Sequence, residues 1–205
     1  MYLSRIKLKA ADRQVQAMLR DPYKQHQAML MAFRRFEGEE AGRVLFRIEP
    51  EIEAGLVTIL VQSPHAPDWE QAEMPGLLES EFMEMSPAFI KAERLLYFRL
   101  RANPTIRLKI DGKRHPVLHE DELFEWLAGK FSKGGAELLE AALTKEGASI
   151  GGASRKTPDN AKTLHSVRFD GLLRIKNVEY FASMLEAGIG SAKGFGFGLL
   201  SLAPA

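Results

Sequence analysis

The chain has 205 residues, of which 45% are hydrophobic, and its 28 Lys and Arg nearly balance its 27 Asp and Glu to give a net charge of +1. This length and composition predict one large or two small globular domains with a hydrophobic core. The lack of cysteine excludes disulfides and thiolate chemistry. No apolar run approaches ~18 residues, and the first residues lack the apolar core of a signal peptide, so we expect a cytoplasmic protein with no membrane partner.

Charge is distributed unevenly along the chain. Residues 1–50 carry ten Lys and Arg against six Asp and Glu, residues 51–100 carry three against nine, residues 101–150 carry eight of each, and residues 151–205 carry seven against four. Basic ends around an acidic middle favour a surface that binds a polyanion and a second, acidic surface. Ordinary solvated surface is the alternative interpretation.

The first part of the chain predicts the order strand, helix, strand, strand. Alternation of apolar and polar residues predicts a strand at Tyr2–Lys9. Asp21 is a favoured N-cap and Pro22 a favoured first helical residue, so a helix is expected from there to about Phe36. The remaining elements are strands at Arg43–Glu49 and Leu56–Gln62, a surface connection over 63–76 and a strand-like segment at Glu81–Phe89.

The second part of the chain predicts a similar plan. Its elements are strands at Arg94–Ala102 and Ile106–Ile110, a helix at Glu120–Phe131, an ambiguous segment over 138–143, a loop or hairpin tip over 147–163, strands at Thr163–Phe169 and Leu172–Ile175 around a turn at Asp170 and Gly171, a helix at Val178–Ala187 and a last strand at Gly198–Leu202. This order fits two tandem ferredoxin-like units. The predicted fold class is therefore α+β, with an N-terminal domain over 1–90 and a C-terminal domain over 91–205.

The segment from Gly188 to Gly198 is the most informative part of the chain, with five glycines and one lysine. Glycine lets a backbone approach a ligand closely, and successive N–H groups beside a lysine can hold a phosphate. Gly188, Gly190, Lys193 and Gly194 are the candidate phosphate-binding residues. The segment follows a helix and lacks the spacing of a Walker A loop or a dinucleotide-binding loop. The alternative is a helix C-cap at Gly188 followed by an edge strand.

Tyr23 and His26 are the candidate catalytic side chains. They are three residues apart and share a face in the first turns of the predicted helix, where free N–H groups and the helix dipole favour an anion. Histidine suits proton transfer near neutrality, and a tyrosine hydroxyl can orient a phosphate. The alternative is a tyrosine and a histidine packed at a helix edge.

Basic residues surround the predicted hairpin tip. Arg155, Lys156 and Lys162 flank a Pro-Asp-Asn turn, and Arg168 and Arg174 lie on the strands that follow. Such a hairpin can follow the phosphates of a nucleic acid, with each contact adding to a salt-dependent affinity. A solvated loop is the alternative.

His115 and His119 invite a metal interpretation, because they are four residues apart and precede Glu120. Pro116 between them disfavours a continuous helix, so we expect a loop and a helix start there instead. No pair of carboxylates marks a catalytic dyad. The sequence therefore predicts neither a bound metal nor a cofactor.

Taken together, these residues resemble the CasE-type CRISPR repeat-processing endoribonucleases, the RNA-cleaving subunits of the type I-E surveillance complex Cascade. The segments that carry the resemblance are Met1–Ser4, Tyr23–Gln27, Tyr97–Pro104, Gly188–Lys193 and Gly198–Pro204. They are spread over essentially the whole chain.

The resemblance implies two tandem ferredoxin-like (RRM-like) domains and metal-independent cleavage of CRISPR precursor RNA at the 3′ base of the repeat stem-loop. The mature guide RNA would stay bound, and the other Cascade subunits would be partners. His26 matches the family's catalytic histidine, Tyr23 a tyrosine found beside it in some members, and Lys162 a basic residue near the scissile phosphate. The glycine-rich segment matches the family's signature loop.

The residue chemistry agrees with this resemblance. RNA carries its own nucleophile, the 2′-hydroxyl, so His26 would act as general acid or base, Tyr23 would orient the phosphate and Lys162 would neutralise developing charge. Arg155 and Lys156 would bind the RNA together with Arg168 and the glycine-rich segment. Two other functions remain open from the residues alone: a non-catalytic RNA-binding subunit and a nucleotide-binding ferredoxin-like module.

Overall fold

The structure, a computed structural model, describes residues 1–36, 42–151 and 162–205. The chain forms two compact units, each discontinuous in sequence. The first comprises Met1–Ser86, Ile150–Thr163 and Gly194–Gly196, and the second comprises Pro87–Ser149, Leu164–Lys193 and Phe197–Ala205. The domain limits predicted from the sequence stay a prediction. None of the helices in the described ranges has the length and apolar content needed to span a bilayer.

The first unit contains a four-stranded antiparallel sheet and two short helices. Its elements are strand β1 (Tyr2–Lys9), helices α1 (Arg13–Leu19) and α2 (Pro22–Leu30), a 3₁₀ helix at Met31–Phe33, and strands β2 (Leu45–Glu53), β3 (Leu56–Ser63) and β4 (Leu77–Glu84). The strands lie in the order β2-β3-β1-β4, which is the ferredoxin-like order with the first and third strands in the centre.

Alternation along β1 explains how this sheet is held to its helices. Ile6 and Leu8 are fully buried, whereas Arg5, which belongs to the alternate positions of the strand, is exposed. The buried side chains join Met29 and Phe33 in one apolar cluster. Burial of an apolar side chain of this size contributes about 1.5–3 kcal/mol, so this cluster fixes α2 on the sheet.

Three predictions for the first unit need correction. Helix α1 is absent from the prediction, although Asp12 caps it by accepting hydrogen bonds from the backbone N–H groups of Gln14 and Val15 at 2.7 and 3.2 Å. The helix predicted to reach Phe36 ends at Leu30 and is followed by one 3₁₀ turn. Strand β4 begins four residues earlier and ends five residues earlier than the predicted strand, because it follows the predicted connection over 63–76 directly.

The second unit is also ferredoxin-like, with a small insertion. Its elements are strand β5 (Leu95–Ala102), the short strands β6 (Thr105–Arg107) and β7 (Arg114–Pro116), helix α3 (Glu120–Lys133), strands β8 (Ala136–Gly151) and β9 (Lys162–Ile175), helix α4 (Val178–Ala187) and strand β10 (Leu200–Pro204). The main sheet has the order β10-β5-β9-β8, and β6 and β7 form a separate two-stranded sheet. The predicted fold class, α+β with two tandem ferredoxin-like units, is confirmed.

The predicted turn at Asp170 and Gly171 is wrong, because β9 continues through both residues. They pair with Arg99 and Phe98 of β5. A β-carbon at Gly171 would lie 2.0 Å from the carbonyl oxygen of Glu140 on β8. The glycine therefore marks a close approach of two backbones rather than a reversal of the chain.

Strand β8 continues to Gly151. It therefore includes residues 138–143, which the sequence left ambiguous, and the first residues of the loop that was predicted from residue 147. The strand predicted at Ile106–Ile110 is limited to the short β6. By contrast, the helix predicted at Val178–Ala187 is confirmed at both ends.

Phe98 and Phe131 pack edge to face in the core of this unit with ring centroids 4.9 Å apart.

Candidate active site

The start of α2 holds the two candidate catalytic side chains. Asp21 is its N-cap, and the carboxylate accepts hydrogen bonds from the backbone N–H groups of Tyr23 and Lys24 at 2.9 and 3.4 Å. Pro22 fills the first helical position, where its missing N–H is not needed. The sequence therefore fixes where the helix begins and puts Tyr23 and His26 one turn apart on the same side.

His26 is partly buried against the glycine-rich segment within the first unit. A β-carbon placed on Gly194 would lie 3.4 Å from Nδ1 and 3.5 Å from Cε1 of the His26 ring. Gly194 thus lies directly beside the imidazole, at a distance where a β-carbon would be in ordinary van der Waals contact with the ring. Of the predicted phosphate-binding residues, Gly194 is the one that the structure brings beside the predicted catalytic histidine inside one unit.

Burial lowers the pKa of His26 from its ordinary value of 6.5. The cause is loss of solvation, which disfavours the charged imidazolium. No hydrogen bond or ion pair reaches the His26 ring from the described part of the chain. Tyr23 is 43% exposed, so part of this residue is open to a ligand.

The other half of the glycine-rich segment belongs to the second unit. Gly188 ends α4 with φ 71°, which confirms the C-cap interpretation of this residue. The ammonium group of Lys193 donates a hydrogen bond to the carbonyl oxygen of Ala187 at 2.6 Å. This contact stabilises the lysine at the negative end of the helix dipole. Lys193 is thus held by the end of α4.

Gly190 has φ 88° and packs against an indole ring of α3. A β-carbon there would lie 3.3 Å from Cη2 and Cζ2 of Trp126. Ser191 follows and exchanges two hydrogen bonds with Asn103, whose amide donates to the Ser191 hydroxyl at 3.0 Å and whose carbonyl oxygen accepts from it at 2.9 Å. These contacts fix the backbone of the segment in the second unit.

The predicted basic hairpin is described only in part. Arg155 and Lys156 lie outside the described residues. Lys162 is the first residue of β9. Arg168, further along β9, lies 3.2 Å from a carboxylate oxygen of Asp170 and 3.9 Å from one of Glu146. Its charge is therefore shared with two acids of its own unit.

The two histidines considered for a metal have other roles. His115 lies on β7 rather than in the predicted loop, and its Nε2 is 2.7 Å from a carboxylate oxygen of Asp111. His119 is the residue that precedes α3, which confirms the predicted helix start. Among the described residues, no group of three His, Asp or Glu has the arrangement of a metal site.

Ser191, Asn103 and Trp126 are the structural residues that the sequence did not single out. Asn103 entered the sequence analysis only within the Tyr97–Pro104 segment, and its contact with Ser191 was not predicted because the two residues are 88 positions apart. Trp126 falls within a predicted amphipathic helix, where an aromatic residue indicates core and nothing more. No local pattern reveals contacts of this range.

The fold and the candidate site define a class of protein: two tandem ferredoxin-like units with a half-buried histidine beside a glycine-rich segment. A sequence model of a family described as CRISPR associated protein matches residues 1–204. The chain belongs to this CRISPR associated protein family.

Relatives within this family are similar over the full length of the chain. The chain is 30% identical to the CRISPR-associated endoribonuclease Cse3 of Thermus thermophilus and 28% identical to the CRISPR system Cascade subunit CasE of Escherichia coli, with 100% of each chain covered. A solved structure of the CRISPR endoribonuclease Cse3 bound to a 19-nucleotide RNA matches with a TM-score of 0.88 and 31% identity, again over 100% of both chains.

Proposed function

We propose that this protein is an endoribonuclease that cleaves CRISPR precursor RNA at the 3′ base of the repeat stem-loop. Full-length similarity to relatives named as an endoribonuclease and as a Cascade subunit supports this function. The mature guide RNA stays bound to the protein, and the other Cascade subunits are its protein partners. The protein acts in the cytoplasm.

The observation that carries this proposal is the partly buried imidazole of His26 beside Gly194. In the proposed reaction, an unprotonated ring nitrogen of His26 accepts the proton of the 2′-hydroxyl next to the scissile phosphate. The 2′-oxygen then forms a bond to phosphorus as the bond from phosphorus to the 5′-oxygen breaks, and the leaving oxygen takes up a proton from water. The products are a 2′,3′-cyclic phosphate and a 5′-hydroxyl, and general base catalysis of this kind contributes about 10²–10⁴-fold.

The remaining predicted residues take supporting roles in this proposal. Tyr23, exposed one turn before His26, orients the phosphate through its hydroxyl. Lys162 neutralises charge that develops on the phosphoryl oxygens. The backbone N–H groups around Gly194 hold a phosphate at close range, since no side chain intervenes.

The test is single-turnover cleavage of the host's own repeat RNA in excess EDTA. A matched RNA carries one 2′-deoxy substitution on the nucleotide before the scissile bond. We expect the all-ribose RNA to be cut to fragments with 2′,3′-cyclic phosphate and 5′-hydroxyl ends, and the deoxy RNA to stay intact. Cleavage of the deoxy RNA would contradict the proposed mechanism, because its nucleophile is missing.

A further inference from the structure

A short two-stranded arm in the second unit has no part in the proposed cleavage step. Strands β6 and β7 form it between β5 and α3, with Ile106 facing His115 and Arg107 facing Arg114 across the pair. The chain turns over residues 108–113, where the N–H of Gly112 donates to the carbonyl oxygen of Leu108 at 2.9 Å. The arm is an insertion, because the ferredoxin-like sheet of this unit is complete without it.

The arm places two like charges directly opposite each other. Arg107 and Arg114 are exposed cross-strand partners, and such pairs destabilise a hairpin. Within the described ranges, neither guanidinium has a carboxylate at ion-pair distance. Asp111, the one acid of the arm, is occupied by His115 at 2.7 Å and by the backbone N–H of Lys113 at 2.8 Å. An arrangement that costs stability and leaves both cations uncompensated indicates a site for an anion.

The last turn of α3 adds two more cations beside the arm. Burial lowers the pKa of Lys130, and the nearby positive charges of Lys133 and Arg114 lower it further. The Lys130 ammonium lies 5.5 Å from the centroid of the Trp126 ring. Lysines at the end of a helix are ordinarily explained by the helix dipole, but the dipole does not account for the facing arginines of the arm.

Hydrogen bonds connect the arm to the glycine-rich segment within the second unit. The Trp126 indole donates to the carbonyl oxygen of Thr105 at 3.2 Å, and the Thr105 hydroxyl lies 3.3 Å from that of Ser191. Gly190 packs against the six-membered ring of the same indole. The four cations therefore lie on elements that are tied directly to the predicted phosphate-binding backbone.

We propose that Arg107, Arg114, Lys130 and Lys133 form an RNA-binding surface, the arm surface, that holds backbone phosphates of the RNA away from the scissile bond. This inference rests on the proposed function, since that function supplies the RNA. Guanidinium groups bind phosphate oxygens in pairs, and two of them side by side span neighbouring phosphates of one strand. The anion that lowers the repulsion between Arg107 and Arg114 is thus the substrate itself.

The test is the salt dependence of RNA binding by the Arg107→Gln/Arg114→Gln variant. Each phosphate contact adds about 0.7–0.9 to the slope of log K against log salt concentration, so we expect the slope to fall by about 1.4–1.8 and the affinity at low salt by about tenfold. The matched control is Arg5→Gln/Lys7→Gln, which removes the same charge from two cations that already pair with Glu81 and Glu79. The control should keep the wild-type slope. Equal loss in both variants, or no loss in either, would overturn the arm surface.

Two further measurements separate this inference from folding defects and from the proposed function. Removing facing like charges should leave the melting temperature unchanged or raise it, and Lys130→Gln/Lys133→Gln should reduce the slope independently of the arm's own stability. At saturating protein, the arm variants should cut bound RNA at the wild-type rate. A wild-type protein that binds but does not cut would refute the proposed cleavage and leave the arm surface standing, whereas normal cutting with unchanged slopes would refute the arm surface alone.

Discussion

At the scale of single residues, burial rather than a charged partner lowers the pKa of His26. Loss of solvation makes the neutral imidazole more abundant at pH 7 than in an exposed histidine. The neutral ring is the form that accepts a proton, so the environment favours His26 as the base of the first step. The sequence made His26 and Tyr23 candidates through their place at a helix start and through the family resemblance, but it could not reveal Gly194 beside the ring, because the two segments are distant in the chain.

We expect the cleavage rate constant to rise with pH and then level off. Because the pKa of His26 in the folded protein lies below 6.5, half of the maximal rate constant should be reached at a pH below 6.5. The measurement is the single-turnover rate constant below saturation, which reports the pKa of the free protein, over about pH 5 to pH 8. His26→Ala, measured in the same series, gives the background rate.

A rate that declines across this pH range would show that a protonated group limits the reaction instead. The same shift in pKa also affects folding, since the folded protein binds fewer protons at His26 than the unfolded chain does. The stability that this contributes is present above pH 6.5 and is lost as the pH falls through the folded pKa. Circular dichroism at each pH keeps the two effects apart.

At the scale of elements, residues typical of helix caps predicted the ends of helices correctly, whereas a pair of residues typical of a turn did not predict a turn correctly. Asp21 with Pro22 correctly marked the start of α2, and Gly188 correctly marked the end of α4, because these residues act through hydrogen bonds and backbone angles within a few positions. Asp170 with Gly171 wrongly predicted a turn. A glycine that allows two backbones to approach closely has the same local sequence pattern as a glycine at which the chain reverses. Tertiary packing decides between those two uses.

Gly171→Ala should therefore destabilise the protein although Gly171 lies in a regular strand. The added methyl group would meet the Glu140 carbonyl oxygen at 2.0 Å, and overpacking of this kind costs about 1–3 kcal/mol. The control is Gly129→Ala in α3, where a β-carbon meets no atom within 4 Å and helix propensity should add about 0.5–1 kcal/mol. Urea unfolding of both variants measures the difference, and equal stabilities would contradict the close approach of β8 and β9.

At the scale of the whole molecule, the order of elements was predictable and the distribution of chemistry was not. Each unit has the ferredoxin-like strand order that the sequence pattern suggested. The basic character of residues 151–205 pointed to a polyanion, but Arg168 shares its charge with Asp170 and Glu146. Two arginines of the arm, Arg107 and Arg114, have no carboxylate partner among the described residues. They lie in residues 101–150, whose Lys and Arg equal their Asp and Glu in number, so the total charge of that range gave no indication of them.

Holding RNA and cutting it should be separable in this protein. A polyanion is held by many phosphate contacts, whereas the chemical step depends on few groups, so His26→Ala should slow cleavage by about 10²–10⁴-fold and leave the dissociation constant nearly unchanged. Arg155→Ala/Lys156→Ala should do the reverse, weakening binding and reducing its salt dependence while bound RNA is still cut. Fluorescence anisotropy at two salt concentrations and single-turnover cleavage at saturating protein measure both effects on the same RNA. Equal loss of binding and cleavage in His26→Ala would make that histidine structural, because a proton acceptor that touches one ribose cannot account for the affinity of the whole stem-loop.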